Sequence, residues 1–133
     1  MRTPWVLVVL SMAFSVLVSC ATKDPQNELG YALRGYERAF RFSEYDQAAT
    51  FYRNPGEAMT PATRQKLEHI KISGYDVING TMTGDKSIMV QTVRIRYFND
   101  ASYVERTIMD RQTWEYDKKA QKWYLTSELP KFR

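Results

Sequence analysis

This chain of 133 residues has one thiol, Cys20, and one imidazole, His69. Metal sites need His, Cys or carboxylate ligands that converge, and the sequence spaces none that way, so no metal and no cofactor is expected. Cys20 closes the string Leu17-Val18-Ser19-Cys20 behind an apolar run. A thiol is the most nucleophilic uncharged side chain, so acyl or alkyl transfer onto that sulfur is the chemistry it suits. No second cysteine exists to form a disulfide within the chain. His69 follows Glu68 at an expected helix–strand junction, a setting that suits surface or capping contacts better than a site.

Among the carboxylates, Asp110 is the candidate for acid–base work. The expected strand register puts it on one face with Val104, Ile108 and Trp114, where an unpaired acid is expensive. Arg106, on the same face, offers an ion pair as the alternative. A proton-transfer pocket would need such a carboxylate as base and a tyrosine or a protonated acid as donor. There is no glycine-rich phosphate loop, and Gly74, Gly80 and Gly84 are read as turn and bulge positions.

Nine tyrosines and three tryptophans exceed what so small a core requires. Tyrosine joins a large apolar face to a polar tip and so serves recognition. Tyr31, Tyr75, Tyr97, Tyr103 and Tyr124 are therefore candidate ligand-binding residues. The net charge of +4 is modest, with both signs interspersed, and gives no argument for nucleic acid. Lysine and arginine crowd the last segment (Lys118, Lys119, Lys122, Lys131, Arg133), which reads as a solvated surface, with contact to lipid headgroups or anionic cell-wall polymers as the alternative.

The elements that must position these residues change period once, from helical to alternating. Leu29, Leu33, Tyr36 and Phe40 make an apolar stripe on one helix face. Ser43 before Asp46 predicts the cap of a second helix through Tyr52, ended by Asn54-Pro55-Gly56. Thr60-Pro61 predicts a third over 61–67. From Ile70 the pattern is β. A first strand over 70–78 is interrupted near Gly74, with Asn79-Gly80 as a turn or bulge, and Gly84-Asp85-Lys86 marks the next connection. Two long strands, over 87–99 and 102–117, are expected to join at Asp100-Ala101. That turn would pair Tyr97 with Val104, Ile95 with Arg106, Val93 with Ile108 and Arg96 with Glu105. Ile88 and Val90 are out of phase with Val93 and Ile95, which predicts a bulge near Gln91-Thr92. A last strand over 122–129 pairs Tyr116 with Trp123 and sets Trp114 near Leu125. The edge strand over 70–78 offers backbone groups to a partner strand, with Lys71 and Asp76 tending to guard it.

Arg2, the apolar stretch Trp5–Val18, small Ser19 and Cys20 together resemble the signal peptide and lipobox of bacterial lipoproteins. A helix over that stretch would span about 21 Å, short of the roughly 30 Å hydrocarbon core, which disfavours a permanent membrane span. The resemblance implies a signal over 1–19 that is removed, a diacylglyceryl group on the Cys20 sulfur, an acylated new amino terminus, and a short tether over 20–28. Membrane lipid is then a partner through Cys20. Ala21, in place of the family's retention aspartate, implies export to the periplasmic face of the outer membrane.

What remains, 29–133, is enough for one α+β domain: N-terminal helices packed on a curved antiparallel sheet of about four strands. That order is similar to the NTF2-like or cystatin-like cone, which implies a sheet wrapped round a helix and a pocket at the open end. Such folds host enzymes, binding modules and structural parts alike. The expectation is a membrane-anchored envelope lipoprotein acting as a non-enzymatic binding or accessory module, with an envelope protein as possible partner. The alternative is a small-molecule-binding or isomerase-like pocket built on Asp110.

Overall fold

A computed structural model describes residues 22–133, so Cys20 and everything before it lie outside the described residues. Four helices precede four strands: α1 (Pro25–Arg41), α2 (Tyr45–Ala49), α3 (Pro55–Ala58), α4 (Pro61–Leu67), β1 (Ile70–Met82), β2 (Ile88–Asn99), β3 (Glu105–Asp117) and β4 (Lys122–Leu125). The strands form one antiparallel sheet in the order β1-β2-β3-β4. This is the expected α+β architecture of helices packed on a four-stranded sheet.

Helix α1 starts four residues earlier than its apolar stripe suggests. Asp24 accepts a hydrogen bond from the Gln26 amide at 3.0 Å, and Pro25 follows in the first turn, where its missing N–H costs nothing. Half of the expected tether is therefore helix. Trp123 Nε1 donates to the Pro25 carbonyl at 2.7 Å and fastens that end to β4. The buried stripe Leu29, Tyr36, Ala39 and Phe40 lies on the sheet's inner face, where Tyr36 meets Trp114 edge to face at 5.5 Å. Gly35 admits the neighbouring ring of Phe51, since a Cβ there would lie 2.6 Å from the Phe51 ring.

Ser43 does not cap the second helix. It ends α1 with φ of 56°, and its Oγ accepts from the Ile72 amide, while Glu44 stands before α2. The Asn54-Pro55-Gly56 segment starts the extra helix α3 instead of only ending α2, because Pro55 suits a first turn. Helix α4 matches its expected bounds, with the Thr60 Oγ1 accepting from the Thr63 amide at 3.1 Å.

The hairpin of β2 and β3 is displaced by two residues from the expected register. Tyr97 pairs with Arg106, Ile95 with Ile108, Val93 with Asp110 and Arg96 with Thr107. Asn99 is the cause. Its carbonyl accepts from the Ser102 and Tyr103 amides and its side chain from the Ala101 amide, so Asp100 to Val104 stay in the loop, with Tyr103 at φ 54°. An even displacement keeps every side chain on its face, which is why the inner and outer sets survive the error. The β2–β3 ladder has no bulge at Gln91-Thr92, since Gln91 takes an inner position and bonds Gln112; the extra residue is in β1, opposite Thr92 and Val93. The irregularities lie in β1, between Ile72 and Gly74 and between Val77 and Asn79.

No glycine has positive φ; the β1–β2 turn uses Lys86 at φ 58°. Three groups on Thr83 and Ser87 bond the exposed Asp85 carboxyl and hold it down to about 2. Gly74 lets the Arg96 guanidinium lie over its backbone, within 2.6 Å of where a Cβ would stand. The β3–β4 pairing is as expected, with Tyr116 opposite Trp123 and Trp114 opposite Leu125.

Strand β4, however, stops at Leu125 instead of reaching Leu129. One more main-chain bond follows, Thr126 amide to Thr113 carbonyl, and then the Ser127 Oγ replaces a backbone acceptor for the Thr113 amide. The chain from Thr126 to Arg133 leaves the sheet edge and crosses the mouth of the inner face. Phe132 stands 4.7 Å from the Tyr97 ring and 6.3 Å from Phe40. Phe132→Ala is expected to cost about 2 kcal/mol, less than a fully buried ring, and to make the chain cleavable by trypsin at Lys131 well before the domain unfolds. Limited digestion followed by mass analysis reads this directly; simultaneous loss of tail and domain would show that the tail has no separate unfolding.

Candidate functional site

Two features of the inner face have chemical capacity: a buried polar chain across β1, β2 and β3, and a cleft beside it. Gln112 is the hub of the first. Its Nε2 donates to Asp110 Oδ2 at 2.8 Å and to the Tyr75 hydroxyl at 2.9 Å, and its Oε1 accepts from Gln91 Nε2 at 2.8 Å. Period-two alternation puts Gln91, Asp110 and Gln112 inward among Val93, Ile95 and Trp114, so these polar groups must satisfy one another. Tyr36 and Tyr52 meet through their hydroxyls at 3.2 Å. Burial pushes Tyr36, Tyr52 and Tyr75 up from the ordinary phenol range, and the nearby Asp110 carboxylate adds to each shift. These phenols are held as neutral partners.

Burial also raises the Asp110 carboxyl, with the Gln112 bond pulling the other way. Arg106 does not neutralise it: the guanidinium donates to the Arg133 main-chain oxygen at 2.8 Å. A carboxyl whose folded pKa exceeds its unfolded value favours folding while both states hold the proton. That contribution is lost as pH rises from 3.8 through the raised value. Asp110→Asn keeps an acceptor for Gln112 and is expected to be more stable than the parent at neutral pH, by on the order of 1 kcal/mol. The advantage should vanish in acid. Urea unfolding at both pH values checks this, and equal stability at neutral pH would mean that the charge is compensated.

The cleft, of about 820 Å³, lies where β4 has ended and β3 continues without it. Its one wall is β3 from Arg106 to Arg111 with Tyr97 behind, and its other wall is the tail from Glu128 to Arg133. A second cleft of about 750 Å³ lies on the other side of the same tail, against α3 and α4.

The five candidate tyrosines do not come together. Tyr75 and Tyr97 are buried, while Tyr31 and Tyr103 are 66% and 76% exposed at separate places, on α1 and in the β2–β3 loop. Tyr124 is half-buried on β4 beneath Arg53 and Lys122. Of the five, only Tyr97 lines the cleft, and its hydroxyl is taken up by the Arg133 main chain. His69 ties the β2–β3 loop to the start of β1 through Asp100 at 3.0 Å. The expected acceptor edge on β1 is closed along its first half: Tyr45 bonds the Ile70 carbonyl, Ser43 the Ile72 amide and Arg41 the Tyr75 carbonyl. Met109 and Arg111 were not singled out by sequence, and the tail was noted only for its basic residues Lys131 and Arg133 and expected as strand as far as Leu129. The signal available was the polar pair Thr126-Ser127 before Pro130, which shortens the last strand. Among the described residues, no three of His, Cys, Asp and Glu converge, and no helix is long and apolar enough to cross a membrane.

The fold defined by these elements, helices on a four-stranded antiparallel sheet, occurs in solved structures. A solution structure of a SEC-C motif containing protein from Rhodopseudomonas palustris matches 74% of this chain and 77% of its own, at 13% identity and a TM-score of 0.56. A crystal structure of a SEC-C motif containing protein from Psychrobacter arcticus matches 80% of this chain at 11% identity and a TM-score of 0.58; the match covers 63% of that protein. At such identities the likeness is one of fold. No protein-family model and no curated protein matches the chain.

Proposed function

We propose that this chain is a lipoprotein of the bacterial cell envelope, fastened by acylated Cys20, whose domain is a non-enzymatic binding or accessory module close to the membrane surface. The string Leu17-Val18-Ser19-Cys20 supports the anchor, and Ala21 supports the periplasmic face of the outer membrane as its place. Several acyl chains, each methylene contributing roughly 0.8 kcal/mol, hold a protein stably where one myristoyl chain is marginal. The order of elements supports an NTF2-like or cystatin-like cone as the scaffold.

One observation carries the choice of binding over catalysis: the cleft beside β3 has an open strand edge but no converging acid–base pair. Asp110 is bonded by Gln112, Arg106 by the tail, and the one lining phenol, Tyr97, also by the tail. A photo-crosslinking side chain at Met109 of the full chain, activated in intact cells, is expected to give a discrete adduct with an envelope protein. The same adduct should disappear with Cys20→Ser. Adducts that ignore the anchor would argue against a module working at the membrane. The second reading, a pocket enzyme with Asp110 as its carboxylate, draws on the raised carboxyl at the cleft. It expects a small molecule to bind on the inner side and displace the titration of Asp110.

A further inference from the structure

The ladder between β2 and β3 points the main-chain groups of inner residues toward β2 and those of outer residues toward the opposite edge. Tyr116 shows the first direction, donating to the Ser87 carbonyl. Thr113 shows the second, with its carbonyl and amide meeting Thr126 and Ser127. By the same alternation, the N–H and C=O groups of Thr107, Met109 and Arg111 face away from β2, into the cleft that opens where the tail departs from β3. These three residues are exposed, and Met109 shows 56% of its surface.

We propose that this groove accepts an extended, acidic peptide segment of a partner protein as an added strand on β3, taking the course β4 would have followed. Main-chain pairing to Thr107, Met109 and Arg111 would supply register, and alternate side chains would supply selection. The choice of an acidic segment rests on charge. Arg106, Arg111, Lys131 and Arg133 line the groove against two acids, Asp110 and Glu128. The Glu128–Lys131 pair at 2.9 Å cancels within the groove, the Arg106 guanidinium bonds the Arg133 main-chain oxygen and the Asp110 carboxylate is turned to Gln112, which leaves Arg111 as the cation that meets an incoming strand. Arg111 has neither a hydrogen-bond nor an ion-pair partner among the described residues, and stands on the outer face beside Met109. A bound strand would therefore place an acidic side chain opposite Arg111, a small one such as threonine opposite Met109, and apolar ones inward against Ile108 and Leu129. The β1 edge competes poorly, since α1, the turn after it and α2 already bond its first half. This inference rests on the binding-module reading and gives it a ligand.

The test uses the full chain in detergent micelles with the labelled peptide acetyl-Glu-Val-Thr-Val-Glu-Val-Thr-amide, and a counterpart with lysine in place of each glutamate. Fluorescence anisotropy is expected to show the acidic peptide binding at least about tenfold more tightly. Amide resonances of Thr107, Met109 and Arg111 should shift and gain protection from exchange. Met109→Pro deletes a donor that points into the groove, not toward β2, so the sheet tolerates it while strand addition is blocked. If that variant unfolds by circular dichroism, Arg111→Glu serves, and should remove the preference for the acidic peptide. Binding that both folded variants leave unchanged, or no binding of the acidic peptide at all, overturns the proposal. Shifts confined to the α3–α4 side of the tail also overturn it, while leaving a binding module with another site.

Discussion

Gln112→Leu is expected to remove about 3–5 kcal/mol of folding stability, the largest loss from any single side chain outside the aromatic core. Gln112 is fully buried and serves three partners at once: Asp110, Tyr75 and Gln91. Leucine fills a similar volume, so the cost does not come from a cavity. It comes from leaving a carboxyl, a phenol and an amide unpaired inside, each at about 1–3 kcal/mol, with partial relief as the groups reorient. Small domains have about 5–15 kcal/mol in total, so the variant should sit near the edge of folding. Denaturant unfolding reads the loss as a lower midpoint at an unchanged slope. Adding Asp110→Asn and Gln91→Leu should restore part of the stability, because the first removes a stranded charge and the second a stranded amide. A single-variant loss under about 1 kcal/mol would mean that water or a rearranged side chain satisfies these groups, and the polar chain would not be what fixes the inner face.

Cys20→Ser has the other large effect, on location and not on folding. On the proposed reading a serine hydroxyl cannot replace the sulfur nucleophile that would receive the diacylglyceryl group, so processing should stop at an unlipidated precursor. On the same reading the acyl chains supply the hold on the bilayer, and removing them should weaken it. Cell fractionation and gel mobility should show a slower, lipid-free species lost from the stable membrane fraction. Circular dichroism of the variant should be unchanged, which separates loss of the anchor from loss of the fold. Unchanged mobility and membrane retention would refute the role given to this thiol.

Much of the scaffold was legible because hydrophobic period is a physical consequence of burial. The stripe of Leu29, Tyr36 and Phe40, the inner set Val93, Ile95 and Tyr97, and the Tyr116–Trp123 pairing all follow from which faces must leave water. What escaped depended on side-chain bonds to the backbone. Asn99 gathers three amides and lengthens a turn by two residues, and Ser127 replaces a carbonyl and turns β4 into a tail. Neither effect leaves a periodic trace. Asp110 was legible as an inward acid, yet its partner Gln112 was not, since a glutamine in a strand has no distinctive signature until the register is known. The tyrosines misled for a related reason. Type marks a residue as able to bind, whereas placement, which buries Tyr75 and exposes Tyr31 and Tyr103 far apart in the sequence, decides whether they can act together.

We propose that a lipid carried by the Cys20 sulfur, as a diacylglyceryl thioether, fixes this domain to the envelope, and intact-mass analysis of the protein extracted from bacterial membranes is the decisive measurement. The account predicts a chain that begins at Cys20, heavier than its residues by a diacylglyceryl group and an amide-linked acyl chain. A chain that still carries residues 1–19, or one with a bare Cys20 thiol, would contradict it.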